Sequence, residues 1–109
     1  MTINNDAGKL LVYIYKCKTE GKEIPRNNQL LTETGWNEDR LNNAIQYLIE
    51  SGFVTGVIQR PIGLKVRATI GDITNLGINI VEEQPKFKKN FGFTVNLGVF
   101  QINWGIQES

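Results

Sequence analysis

The sequence predicts an α+β fold in which three helices precede a β-hairpin and a short fourth helix. Apolar residues of segment 38–51 recur at the spacing of one helical stripe: Leu41, Ala44, Ile45, Leu48 and Ile49. Segment 64–70 instead alternates apolar and polar residues, as a half-buried strand does. Pro61 and Gly63 lie just before it and favour a turn there. At 109 residues the chain is long enough for one domain with a modest core.

The first helix is predicted over residues 6–21, between a possible N-cap at Asp6 and Gly21. Its apolar residues follow helical spacing: Ala7, Leu10, Leu11, Ile14 and Cys17. Residues 10–15 are rich in β-formers, so periodicity alone leaves a buried strand open. The length of about four turns favours the helix. Residues 23–25 are expected to be extended, because Pro25 disfavours the helical region for the residue before it.

Two further helices are expected on either side of a short turn. The second covers residues 26–34 and stops at Gly35. Asn37 is a good N-cap for the third, over residues 38–51, and Gly52 suits the left-handed position that ends a helix. Two helices joined by a tight turn that contains glycine are typical of a helix-turn-helix unit.

The hairpin is predicted to pair residues 53–59 with residues 64–70 across the turn at 60–63. Thr74 then caps a short fourth helix over residues 75–83.

This order of elements resembles the winged helix-turn-helix family over residues 6–83. The resemblance depends on Leu30-Leu31 with Gly35-Trp36, on the helix-into-strand run at 41–54, and on residues 73–78, Ile-Thr-Asn-Leu-Gly-Ile. The last is similar to the I-T-x-x-G start of the final helix in small prokaryotic members. The resemblance implies a three-helix core whose third helix enters the DNA major groove and a hairpin that acts as the wing. Many members of the family bind proteins instead.

Candidate DNA contacts follow from side-chain chemistry. Asn and Gln can pair with adenine and Arg with guanine, while basic groups and a helix N-terminus can hold phosphates. The candidates on the third helix are Arg40, Asn42, Asn43, Gln46 and Tyr47; those on the wing are Arg60, Lys65 and Arg67; and those at the start of the second helix are Arg26, Asn27 and Asn28. Against this reading, the third helix carries a net charge of −2, which phosphates would repel.

Composition argues against catalysis and metal binding. The chain has no histidine, so imidazole catalysis and histidine ligation are excluded. Cys17 is the sole cysteine, lies on the apolar stripe of the first helix and lacks a histidine to activate it. We therefore expect no enzyme activity, no catalytic residue, no cofactor and no metal. No signal peptide or membrane span is evident, and a cytoplasmic location is expected.

The C-terminal part changes composition. A basic linker is expected over residues 85–90, after a winged-helix domain at 1–84, and an apolar strand is expected within 91–109. Alternation slips by one residue near Gly98, which a bulge or a tight hairpin would explain. One bent strand is preferred, because Leu97 and Val99 are poor turn residues.

A strand with so many apolar residues is expected to pair with another strand, because an unpaired apolar edge promotes aggregation. It can fold back on its own domain or pair with the same segment of a second copy, and we expect a homodimer. The residues that would form this contact are Phe91, Phe93, Val95, Leu97, Phe100, Ile102, Trp104 and Ile106. A dimer would also match two-fold DNA sites.

The sequence thus predicts a dimeric winged-helix regulator of transcription that binds double-stranded DNA through the third helix and the wing. The alternative is a protein-interaction adaptor that uses the same scaffold without binding DNA.

Overall fold

A computed structural model describes residues 2–97, 102, 104 and 105 of the chain. These residues form an α+β arrangement of five helices and one antiparallel two-stranded hairpin. In chain order the elements are α1 (Ile3–Thr19), α2 (Asn27–Thr34), α3 (Glu38–Glu50), β1 (Val54–Gln59), β2 (Arg67–Ile73), α4 (Asn75–Glu82) and α5 (Gln84–Phe91). None of the described helices is long and apolar enough to cross a bilayer.

Helix α1 is the central helix of the core, and its Leu10, Leu11 and Ile14 have no exposed surface. The predicted helix is confirmed and the strand alternative is wrong. The helix begins earlier than predicted, because Thr2 is its N-cap and accepts a hydrogen bond from the Asn5 amide at 3.2 Å. Asp6 is not a cap; it lies inside the helix and is only 5% exposed.

Helix α3 begins at Glu38 as predicted and ends at Glu50, one residue short of the predicted end. The side chain of Asn37 accepts a hydrogen bond from the Arg40 amide at 2.9 Å. Gly52 adopts a φ of +80°, and the amide of Phe53 donates to the Leu48 carbonyl at 3.0 Å. These contacts form a Schellman stop, which turns the chain directly into β1.

The hairpin differs from the prediction in its second strand. Strand β2 begins at Arg67, three residues after the predicted start, and runs to Ile73. Residues pair as Gln59↔Arg67 through Gly56↔Ile70, and an irregularity follows before Val54↔Ile73. That irregularity keeps Ile73 buried with the core. Leu64 is 73% exposed because it lies in the turn, where no core element reaches it.

Helix α4 begins at Asn75 with Thr74 as its N-cap, as predicted, and the side chain of Thr74 accepts a hydrogen bond from the Gly77 amide at 3.0 Å. The helix ends at Glu82, one residue short of the predicted end. Val81 is its fully buried residue.

Helix α5 occupies the predicted linker, so the linker prediction is wrong. Pro85 lies in its first turn and Gly92 ends it with a φ of +89°. Phe87 and Phe91, one turn apart, are 0% and 1% exposed, and their ring centroids are 4.7 Å apart. Burial of these two aromatic side chains stabilises the helix against the core. This stabilisation outweighs the preference of its three lysines for a solvated linker.

The predicted C-terminal strand is wrong for residues 91–97. Phe91 is helical, and residues 92–97 form no strand. The amide of Val95 donates to the side-chain oxygen of Gln84 at 2.7 Å, which holds this segment beside α5. The described apolar residues that pack against their own core are Phe93, Val95, Leu97, Ile102 and Trp104, as the fold-back alternative expects. Phe100, Ile106 and the slip at Gly98 lie outside the described residues.

A buried ion pair joins α1, α3 and the C-terminal segment. The Arg40 guanidinium donates to both carboxylate oxygens of Asp6, at 2.7 and 2.9 Å. It also donates to the carbonyl oxygens of Gly105 at 2.9 Å and Trp104 at 3.1 Å. The indole N–H of Trp36 donates to the Trp104 carbonyl at 2.8 Å. We call these five residues the Arg40 cluster.

Candidate nucleic-acid interface

The exposed face of α3 carries one stripe of polar side chains. Asp39, Asn43, Gln46 and Glu50 follow one another at helical spacing, with a carboxylate at each end and an amide pair between. Asn43 is exposed and Gln46 is half-buried. The two amides can therefore meet a ligand that approaches this face, as base-edge readers must.

Two cations beside the hairpin turn lie against the ends of this stripe. Lys65 Nζ is 2.9 Å from Asp39 Oδ2, and Arg60 Nη2 is 3.7 Å from Glu50 Oε2. The hydrogen bond from Lys65 to Asp39 raises the pKa of Lys65, because the carboxylate stabilises the charged ammonium. Two of the three predicted wing cations, Arg60 and Lys65, are thus engaged with α3 carboxylates.

Two further predicted cations, Arg26 and Arg67, take no part in these ion pairs. Arg26 precedes α2 and Arg67 begins β2, and both line an open groove of about 540 Å³. The other lining residues are Ile24, Asn27, Asn28, Gln59, Thr69 and Ile70. Arg26 and Arg67 are exposed, and neither forms a salt bridge with any residue of the described part of the chain.

The N-terminus of α2 opens at this groove. No acidic residue lies in its first turn, so the positive end of the helix dipole is not neutralised by the helix's own residues. The side chain of Gln29 accepts the Arg26 amide at 2.8 Å, which fixes the backbone where the helix begins. A helix N-terminus beside two free guanidinium groups favours an anion.

Two predicted DNA contacts have structural roles. Asn27 donates through its amide to the Ala68 carbonyl at 2.8 Å, and Asn42 accepts the Ala68 amide at 3.1 Å. These side chains from α2 and α3 satisfy the backbone of β2 at an edge where no third strand of the described residues pairs with it. We therefore assign Asn27 and Asn42 to positioning the hairpin rather than to base contact.

Arg40 and Tyr47 are directed away from the hairpin. Arg40 is committed to its cluster, where its guanidinium also lies 4.5 Å from the centroid of the Trp36 ring. The Tyr47 hydroxyl accepts a hydrogen bond from the Asn90 side chain at 3.5 Å, and its ring packs edge-on against Phe91. We remove both residues from the candidate interface.

The groove is also lined by residues that are not among the predicted DNA contacts. Gln59 and Thr69 join Arg67 because Gln59 pairs with Arg67 across the hairpin and Thr69 follows two residues along the same strand. Alternation along each strand indicates which residues share a face of the hairpin. The register that places Gln59 opposite Arg67 could not be predicted from the sequence. Asn28 is exposed and lines the groove, and its contact with DNA stays a prediction.

The candidate interface thus comprises the α3 amides, the two groove arginines, Asn28 and the hairpin. No protein-family model, curated protein or solved structure matches this chain.

Proposed function

We propose that this protein is a winged-helix regulator of transcription that binds double-stranded DNA. The observation that carries the proposal is the groove in which Arg26 and Arg67 meet the N-terminus of α2 without a carboxylate partner among the described residues. Such an arrangement suits a backbone phosphate, because two guanidinium groups and a helix dipole act on the same anion.

The element order supports the same proposal. Helices α1, α2 and α3, the hairpin and α4 follow one another as in a winged helix, and α2 meets α3 across a turn of three residues. On this layout α3 would lie in the major groove with Asn43 and Gln46 towards the base edges. The groove arginines would then hold a phosphate of the flanking backbone and set the register of α3.

A titration with duplex DNA at several salt concentrations tests this function. Non-specific binding is electrostatic, so a mixed-sequence duplex is a sufficient probe. The double variant Arg26→Gln, Arg67→Gln should weaken binding about tenfold or more at low salt and make the salt slope shallower by about 2. The matched control is Lys88→Gln, Lys89→Gln on α5, which removes the same charge away from the groove and should retain most of the affinity.

Equal losses in the two double variants would show that only net charge matters and would contradict the groove. A wild-type protein that binds no duplex even at low salt would contradict DNA binding altogether.

A second candidate function is a protein-interaction adaptor, and one observation favours it. Ile62 is fully exposed and Leu64 largely so, which places two large apolar side chains at the hairpin turn. This alternative expects no duplex binding at any salt concentration. It also expects Ile62→Ser with Leu64→Ser to weaken a protein contact that Arg26→Gln with Arg67→Gln leaves unchanged.

The homodimer and the cytoplasmic location are parts of the proposal that stay predictions. The described residues of 91–97 contact their own chain, so they do not supply the strand pairing expected for a dimer. Light scattering of the full chain gives the mass directly: twice the chain mass supports a dimer, and one chain mass contradicts it.

A further inference from the structure

We propose that Asp39 and Glu50 restrain DNA binding by holding the hairpin cations Lys65 and Arg60 in ion pairs across the face of α3. The inference depends on the proposed DNA-binding function and concerns the regulation of that same surface. Its basis is the position of the two ion pairs, one at each end of the polar stripe.

The two carboxylates lie at opposite ends of the polar stripe on α3. Asp39 lies in the first turn of α3 and Glu50 is its last residue, so about 16 Å of helix separates them at 1.5 Å per residue. Asn43 and Gln46 lie between the two carboxylates. The two cations, Lys65 and Arg60, flank the hairpin turn, so the hairpin is tied to α3 at both ends of the surface that would face DNA.

DNA and the carboxylates therefore compete for the same cations. A phosphate that approached Lys65 or Arg60 would compete with a carboxylate already 2.9 or 3.7 Å away. Once displaced, that carboxylate would repel the phosphate backbone. The acids thus lower affinity twice: they occupy the cations, and they add negative charge beside the base-reading amides.

DNA can compete with the carboxylates for these cations, because both ion pairs are exposed. Side-chain exposure is 81% and 57% for Lys65 and Asp39, and 53% and 57% for Arg60 and Glu50. Exposed pairs are weak and are screened by salt, so a polyanion can displace them. The arrangement favours a DNA complex that is readily released over one of high affinity.

The test is the double variant Asp39→Asn, Glu50→Gln, titrated with the same mixed-sequence duplex as the wild type. We expect about tenfold tighter binding at low salt. We also expect a salt slope steeper by about 2, because two more cations are free to replace counterions. The matched control is Glu20→Gln, Glu83→Gln, which changes the net charge equally and removes the exposed pairs with Lys22 and Lys86.

Tighter binding in the first variant, with the control within about twofold of the wild type, supports the restraint. If the wild type binds duplex DNA and the first variant binds no more tightly, the restraint is overturned and DNA binding stands. The same holds if both variants bind more tightly by an equal factor. If no form of the protein binds duplex DNA, the proposed function fails, and the restraint fails with it. Circular dichroism of each variant would verify that the helices are retained.

Discussion

The two sides of this molecule use ion pairs in opposite ways. On the side formed by α1, α5 and the C-terminal segment, the Asp6–Arg40 pair is buried, with side-chain exposures of 6% and 17%. On the hairpin side, Lys65–Asp39 and Arg60–Glu50 are more than half exposed. Similar charges thus contribute to the fold on one side and remain available to a ligand on the other.

The difference lies in how many other bonds each pair makes. Arg40 donates to two backbone carbonyls and packs over Trp36 as well as binding Asp6, so losing one partner would leave several buried groups unpaired. Lys65 and Arg60 each make a salt bridge with one carboxylate, and more than half of each side chain is exposed to solvent. Substitutions on the packed side are therefore expected to change the free energy of unfolding. Substitutions on the hairpin side are expected to change the affinity for a ligand.

The largest effect should come from Asp6→Asn. The substitution leaves the Arg40 guanidinium partly buried without its counterion, and we expect the free energy of unfolding to fall by about 3 kcal/mol. Urea denaturation followed by circular dichroism measures it. The control is Asp72→Asn, which breaks the exposed pair with Lys18 and should cost less than about 1 kcal/mol. Equal losses would contradict the contrast between the two sides.

The next largest effect should come from Gly8→Ala. A Cβ at this position of α1 would lie 2.7 Å from both Cβ and Cγ of Phe91 in α5. Such overpacking should lower the free energy of unfolding by about 2 kcal/mol, although alanine favours a helix more than glycine does. A thermal melt that showed stabilisation instead would mean that α5 does not pack against α1.

A smaller effect is expected from Tyr15→Phe. The Tyr15 hydroxyl donates to Glu82 at 2.7 Å, and its loss should cost about 1 kcal/mol. Tyr13→Phe is the control, since its hydroxyl is exposed and 3.5 Å from Glu33. If Tyr13→Phe costs as much, the Glu82 bond is not what stabilises α1 against α4.

The same bond predicts a pH dependence. The hydrogen bond with Glu82 raises the pKa of Tyr15 to about 12. An unfolded tyrosine has a pKa of about 10, so the folded state retains the proton to higher pH. The stabilising contribution is fully present below pH 10 and is lost as the pH rises from about 10 to 12. Tyr15→Phe should lack this component of the alkaline loss of stability.

The smallest effect on stability is expected from Lys65→Gln on the hairpin side. Because the pair with Asp39 is exposed, the denaturation midpoint should be close to that of the wild type. A loss of stability as large as that of Asp6→Asn would mean that the hairpin pairs stabilise the fold as the Arg40 pair does, and it would remove the contrast.

Local signals explain which elements the sequence could predict. The start and stop of α3 depend on Asn37 and Gly52, whose roles involve only neighbouring residues. Helix α5 also had a local signal, in Pro85 near its start and Gly92 after its end. Its lysines, however, matched the composition of a linker, and the burial of Phe87 and Phe91 depends on distant parts of the chain.

The site was less predictable, because its contacts join distant residues. Arg40 reaches Asp6 across 34 positions, and Asn27 reaches Ala68 across 41. No periodicity in the sequence distinguishes an Arg on α3 that turns inward from one that faces DNA. Arg26 and Arg67 were predictable as cations. That neither has a carboxylate partner among the described residues could be learned only from the three-dimensional packing.

The most direct test of this account is a ¹H–¹⁵N NMR titration of the full chain with a mixed-sequence duplex. We expect chemical-shift changes at Arg26, Asn28, Asn43, Gln46 and Arg67, with the amides of α1 and α5 unaffected. Changes confined to α1 and α5, or none at low salt, would contradict the assignment of DNA binding to the hairpin side.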